Sequence, residues 1–237
     1  MVKRILMTLS LFVVIAGMAL AFVVYQLYFA SSSNSSQYIR QFLRNPSEHA
    51  ELSSAALTGC NGAPFILPTE GFIGLLWRDT AGPYNATRRH TGLDIFSGKS
   101  AGTAPIYAVY AGYLTRLEDW HSTVIIRHND PLQAGRIIWT YYTHMASEDG
   151  NESYISPEFP QGTYSQFVAQ GTLLGYQGDY NPAFPVAVHL HISIVSSEDN
   201  GSFKNEAILA NTLDPSPYFG LDMNADNQPS RPMRCLE

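Results

Sequence analysis

The sequence predicts a mainly β domain preceded by one N-terminal transmembrane helix. Three observations carry that expectation. Glycine and proline recur along the chain (18 and 14 of 237 residues) while stretches of helical periodicity are few, a pattern of short strands joined by turns. Runs of β-branched and aromatic residues alternate with turn residues through the second half. Residues 5–30 contain no charged side chain, and a stretch of that length crosses a hydrocarbon core of roughly 30 Å as a helix.

At the N-terminus, Lys3 and Arg4 precede the apolar run. The bias of basic residues toward the cytoplasm places residues 1–4 inside, residues 5–30 in the membrane as a single-pass signal anchor, and the rest of the chain outside. The alternative is a secreted protein whose signal peptide is cleaved after Ala19-Leu20-Ala21. The apolar run continues through Phe22, Val23, Val24, Tyr25, Leu27, Tyr28 and Phe29, which favours the uncleaved anchor; either way the domain is exported.

Residues 31–61 read as a tether and a short helical region. Serines 31–33, 35 and 36 with Asn34 make a polar, flexible start. Tyr38, Ile39, Phe42 and Leu43 then suggest a short amphipathic helix that Pro46 interrupts or restarts. His49 reads as a solvated surface residue. The globular domain spans residues 62–220, and residues 221–237 form a C-terminal tail. Cys60 and Cys235 bracket the domain in a compartment that permits disulfides, so they are either paired or two free thiols. Asn34, Asn85, Asn151 and Asn200 each begin an N-x-S/T sequon, relevant only if the source glycosylates exported proteins.

Within the domain, Ile106 to Val109 leads through Ala111-Gly112 into a second run, Tyr113 to Leu117. Residues 123–127 and 137–143 are β-branched or aromatic and flank a loop with Asp130-Pro131 and Gly135, so a hairpin is expected. Residues 173–176 and 189–195 are two further strands. Residues 147–167, polar and rich in Gly, Pro and Tyr, read as a long loop of the kind that often serves function.

Composition narrows the function. With 45% hydrophobic residues, 14 Tyr and 12 Phe the chain can fill a core. A net charge of −6 with only 14% charged residues excludes the basic footprint of a nucleic-acid binder.

Two histidine motifs stand out. In His189-Leu190-His191 the two imidazoles project from one face of a strand, since residues i and i+2 share a face. In His90-Thr91-Gly92-Leu93-Asp94 the glycine is expected to let the backbone turn so that both side chains reach one point. Each is weak alone: a chance H-x-H is expected about 0.2 times in a chain of this composition, and either motif is compatible with a core or loop histidine. Together they offer imidazoles and a carboxylate with an open fourth position, the pattern of a catalytic zinc site. His144 ends a strand in Tyr141-Tyr142-Thr143-His144-Met145. His128 reads as structural and His121 as a turn residue.

In combination and order, these segments resemble the lysostaphin-type zinc endopeptidases, the LytM-like domains that cleave the peptide part of bacterial cell walls. The resemblance covers residues 64–195. It runs from Pro68-Thr69-Glu70-Gly71-Phe72 through the His90 motif, Pro105-Ile106-Tyr107-Ala108, Val124-Ile125-Ile126-Arg127-His128, the His144 motif, the stretch from Gly171 to Gly178, and His189-Leu190-His191-Ile192. It implies an antiparallel β-sheet with a groove carrying one Zn2+, ligands His90, Asp94 and His191, unliganded catalytic histidines His144 and His189, and a peptidoglycan peptide as substrate, either a cross-link or a stem peptide. The chain departs from the family where the segment before the last motif, usually Gly/Ser-rich, reads Asp179-Tyr180-Asn181-Pro182-Ala183-Phe184-Pro185-Val186-Ala187-Val188, and where the 147–167 loop is long. Two alternatives remain: a catalytically silent module of the same fold that binds peptidoglycan or activates another hydrolase, and a cupin-type metal barrel suggested by the last motif alone. The silent module sits poorly with a full complement of candidate ligands and acid–base groups, and the cupin leaves His90 and Asp94 unexplained.

Overall fold

A computed structural model describes residues 15, 17–19 and 33–236. The expected cytoplasmic start and transmembrane anchor fall almost wholly outside the described residues. Among those described, no helix is long and apolar enough to cross a membrane.

The described residues are mainly β, with nine strands among them: β1 (Phe72–Leu75), β2 (Leu93–Phe96), β3 (Pro105–Tyr107), β4 (Gly112–Thr115), β5 (Val124–Asn129), β6 (Ile137–Thr143), β7 (Gln166–Val168), β8 (Leu173–Tyr176) and β9 (Leu190–Ser196). Seven form one sheet in the order β1-β2-β9-β6-β5-β4-β7, and β3 pairs with β8 in a separate ribbon. All strand pairs are antiparallel. The expected hairpin is β5–β6, in register from Val124 opposite Tyr142 to Asn129 opposite Ile137.

Strand alternation divides the sheet into two faces. On one face Leu93, Ile95, Val124, Ile126, Ile138, Tyr142, Ile192 and Ile194 pack with Ile106 and Leu174 of the ribbon into the main core. The other face carries Asp94 and His191, which face each other across β2 and β9. It also carries Ile125, Trp139 and Val195, a second apolar cluster capped by Trp120, Tyr141 and Phe203.

The segment before the domain is docked on it. Helix α1 (Ser35–Arg44) ends at Asn45 because Pro46 disfavours a helical residue before it. A 3-10 turn (Pro46–Glu48) and a one-turn helix α2 (His49–Leu52) follow, as Pro46 predicts. Phe42 of α1 is fully buried against Phe72 and Phe96, a burial that contributes about 2–3 kcal/mol. Two sequence expectations change here. The serine run is not a free tether where it is described, because Ser35 is buried and its hydroxyl donates 2.5 Å to Asp79 Oδ2. His49 is not a solvated surface residue: it is half-buried, stacks on Phe42 at 4.0 Å and places Nε2 2.8 Å from the Phe42 carbonyl.

Beyond β9 the chain adds α3 (Ser216–Phe219), and Leu221 and Met223 enter the main core. Cys60 and Cys235 form a disulfide, Cα–Cα 5.5 Å, tying the start of the domain to the C-terminal segment. His128 is structural, as expected: it is buried, with Nδ1 donating to the Ala111 carbonyl at 2.9 Å and Nε2 2.7 Å from the Thr140 hydroxyl.

Candidate active site

Antiparallel pairing assembles the site. Asp94 on β2 lies opposite His191 on β9, and Thr143 at the end of β6 lies opposite His191 from the other side. His90 precedes β2 and is fully buried. His189 precedes β9 and bridges to Gly178. His144 follows Thr143 with φ 72°, in the left-handed region, which costs a non-glycine residue about 1–2 kcal/mol. The five residues singled out in the sequence therefore meet in one place.

Two glycines permit the approach, for a different reason than the sequence suggests. Gly92 is not in a left-handed turn. A Cβ there would lie 2.3 Å from the Ile192 carbonyl oxygen, so glycine is needed because β2 runs against β9. At Gly178 a Cβ would lie 2.4 Å from the His144 carbonyl oxygen and 2.2 Å from that of Ala146, so glycine lets the segment leading to His189 reach the turn holding His144.

Three atoms converge. His90 Nε2 is 3.0 Å from His191 Nδ1 and 3.1 Å from Asp94 Oδ1, and His191 Nδ1 is 2.8 Å from Asp94 Oδ1. The outer partners fix the tautomers. His90 Nδ1 faces the Leu76 carbonyl at 2.9 Å and must donate to it, leaving a lone pair on Nε2. His191 Nε2 donates to Glu206 Oε1 at 2.9 Å, so Nδ1 is the nitrogen free to bind. Three acceptors thus crowd one point, an arrangement that one cation satisfies. Ligand atoms about 2.0–2.2 Å from a tetrahedral zinc stand about 3.3–3.6 Å apart, so the three atoms here would have to spread by a few tenths of an ångström to hold one. Two imidazoles and a carboxylate also suit zinc chemically, and the set leaves a coordination position open.

The electrostatics agree. Burial alone would raise the Asp94 carboxyl, but the imidazoles of His90, His189 and His191 hold it well below the usual carboxylate range. Burial would depress His191, yet Glu206 and Asp94 on its two sides outweigh it and push it up to about 10. In the metal-free protein a proton therefore sits between these groups, and a bound metal takes its place.

His144 and His189 stand beside this cluster. Their ring centroids are 4.4 Å apart, and Phe96 stacks on His189 at 5.0 Å. His189 Nε2 is 3.7 Å from Asp94 Oδ2, the carboxylate oxygen that the other two imidazoles do not use. His144 Nδ1 donates to the Tyr180 carbonyl and His189 Nδ1 to the Ala187 carbonyl, each at 2.6 Å. Both rings therefore keep an Nε2 lone pair. Burial, reinforced by the charge of the other imidazoles, lowers His144 to about 3 and also lowers His189, so both are neutral bases at pH 7.

Sequence reasoning missed several contributors. Glu206 stands 15 positions after His191 in an irregular loop, with no local spacing to mark it. Tyr84 packs its ring 4.8 Å from that of His90, and only its aromatic character could have drawn attention. The Tyr180 and Ala187 carbonyls are backbone groups with no side-chain signature. They lie in the segment that departs from the family's Gly/Ser-rich pattern.

No protein-family model matches the sequence, and no curated protein matches it. Solved structures do. Lysostaphin, an antimicrobial peptidase from Staphylococcus simulans, is 21% identical over 55% of this chain and 43% of its own, with a TM-score of 0.36. Its catalytic domain alone is 18% identical over 76% of this chain and 96% of its own, TM-score 0.39. A zinc-containing peptidase from Vibrio cholerae is 15% identical over 64% of this chain and 40% of its own, TM-score 0.37. The chain thus spans less than half the length of the first and third of these proteins.

Proposed function

We propose that the chain is a zinc-dependent endopeptidase that hydrolyses peptide bonds in peptidoglycan cross-links or stem peptides, held at the membrane by residues 5–30 with its domain outside the cytoplasm. The observation that carries this reading is the convergence of His90 Nε2, Asp94 Oδ1 and His191 Nδ1 to within 3.1 Å of one another, with two neutral imidazoles alongside. Export is supported by the charge-free run behind Lys3 and Arg4, and the Cys60–Cys235 disulfide suits an oxidising compartment. The choice of peptidoglycan rests on the sequence resemblance.

The metal ligands would be His90, Asp94 and His191, and zinc bound there would supply a water acidified toward a pKa of about 7 and a positive charge for the scissile carbonyl. The chain's own residues do the rest. Leu76 and Glu206 hold the two ligand imidazoles in the tautomers that offer a lone pair. His144 and His189, with Nε2 free, take the proton of the attacking water and return one to the leaving amine. The Tyr180 and Ala187 carbonyls keep both rings from turning over.

The test is incubation of zinc-loaded full-length protein with intact peptidoglycan and identification of released fragments by mass. A new amine terminus whose appearance a chelator abolishes supports the reading and names the bond. Zinc-loaded protein that cleaves no wall type would overturn it in favour of a wall-binding module.

A further inference from the structure

The irregular loop after β9 brings a carboxylate to the metal cluster from outside it. Glu206 Oε1 accepts from His191 Nε2 at 2.9 Å and from the Thr91 hydroxyl at 2.6 Å. Thr91 lies between His90 and Asp94 in sequence, so this one oxygen joins the first histidine motif to the last. The loop is fixed rather than loose. Phe203 packs on Trp139 and Trp120 at ring-centroid distances of 5.5 and 5.9 Å, and Asn205 Oδ1 accepts from the Ala207 backbone at 2.9 Å. Only 18% of the Glu206 side chain is exposed.

We propose that Glu206 is a positioning residue for the metal, with Thr91 positioning Glu206 in turn. The inference rests on the zinc reading above. An imidazole can bind a metal through only one nitrogen while the other carries its proton, and the partner of that proton decides which is which. The two ligand histidines bind through opposite nitrogens, His90 by Nε2 and His191 by Nδ1. The Leu76 carbonyl selects the first. The Glu206 carboxylate selects the second, and it is the stronger acceptor because it is charged. Its negative charge, passed through the His191 ring, also makes Nδ1 a better donor to a dication. Oε1 contacts the far edge of the ring, so Glu206 acts through His191 and is not itself a ligand.

The experiment is a competition titration of the full-length protein with zinc and a chromogenic chelator, beside thermal unfolding of the metal-free protein. Glu206→Ala removes both charge and acceptor and should weaken zinc binding by about 10–100-fold, the usual cost of losing such a partner. Glu206→Gln keeps an acceptor oxygen without the charge and should fall between wild type and Glu206→Ala. Thr91→Val should produce a smaller loss, by freeing Glu206. If Glu206→Ala proves unfolded, Glu206→Gln decides the matter. Zinc affinity within about twofold of wild type in the folded glutamate variants overturns the proposal. A gradation in which glutamine rescues part of the loss separates positioning from mere loop packing, which both variants would disturb alike. Wild-type protein that binds no zinc would defeat the functional reading and this one together, whereas wild-type binding with unchanged variants would defeat this one alone.

Discussion

His144 and His189 face each other at a ring-centroid distance of 4.4 Å, each with Nδ1 tied to a backbone carbonyl of the segment running from Gly178 to His189. Neither ring has an atom in the three-donor cluster. His144→Ala and His189→Ala should therefore each lower turnover by about 10²–10⁴-fold, the usual worth of a positioned acid or base, and leave one zinc per chain. Metal content and cleavage rate measured on the same sample check this. Loss of zinc from either variant would refute the division between ligands and bases.

His90→Ala and Asp94→Ala should show the opposite pattern. Each removes one of three donors around a single point and leaves the others as unmatched buried acceptors. Zinc should be lost along with activity, and added zinc should restore little. Stoichiometric metal retained by His90→Ala would mean that another ligand set is used.

Gly92→Ala tests why the first histidine motif contains a glycine. The added Cβ would sit 2.3 Å from the Ile192 carbonyl oxygen, and backbone cannot yield as a side-chain tip can. β2 would be forced off β9, which should cost about 3 kcal/mol and spread Asp94 from His191. Thermal unfolding and zinc titration should both show the loss; a variant with wild-type values in both would show that the strands have slack.

How legible all this was depended on whether a feature is written in side chains or in the path of the chain. Runs of β-branched and aromatic residues with turn residues between them mark β5 and β6 directly, and the i, i+2 rule puts His189 and His191 on one face without any structure. The Gly92 expectation had the right residue and the wrong cause, because strand-to-strand proximity leaves no local trace. His49 looked solvated because nothing nearby in sequence announces Phe42 beneath it. Glu206 and the carbonyls of Tyr180 and Ala187 were out of reach: their roles come from loops folded back by contacts such as Phe203 on Trp139 and Gly178 on the His144 turn.

The disulfide should matter most to the two ends of the domain. Cys60 and Cys235 are 175 residues apart, and closing so long a loop restricts the unfolded chain by about 5 kcal/mol in the chain-entropy model. Cys60→Ser with Cys235→Ser should lower the unfolding free energy measured in urea by an amount on that order or less, and the midpoint with it. The metal donors sit just before β2, on β2 and on β9, so a folded double variant should bind zinc as wild type does. An unchanged midpoint would show that the bridge adds nothing to the packing of Leu221 and Met223.

His128 predicts how stability depends on pH. Burial pushes its imidazole down to about 4 in the folded protein, against the weaker opposing effects of the Ala111 carbonyl and Asp130, whereas an unfolded histidine titrates near 6.5. Between those values the unfolded chain binds the extra proton, so stability rises with pH through that window. The contribution is fully present above about 6.5 and is lost as pH falls toward 4, to a total of about 3 kcal/mol for this one group. His128→Asn retains a donor for Ala111 and an acceptor for Thr140 but does not titrate. Urea unfolding of metal-free wild type and variant from pH 4.5 to 8 should give a stability difference that is flat above pH 7 and shifts toward the variant by about 1 kcal/mol per pH unit below 6. Working without metal removes the pH dependence of zinc binding, and taking the difference cancels the other titrating groups. Parallel curves over the whole range would show that His128 takes up its proton in the folded state at ordinary cost.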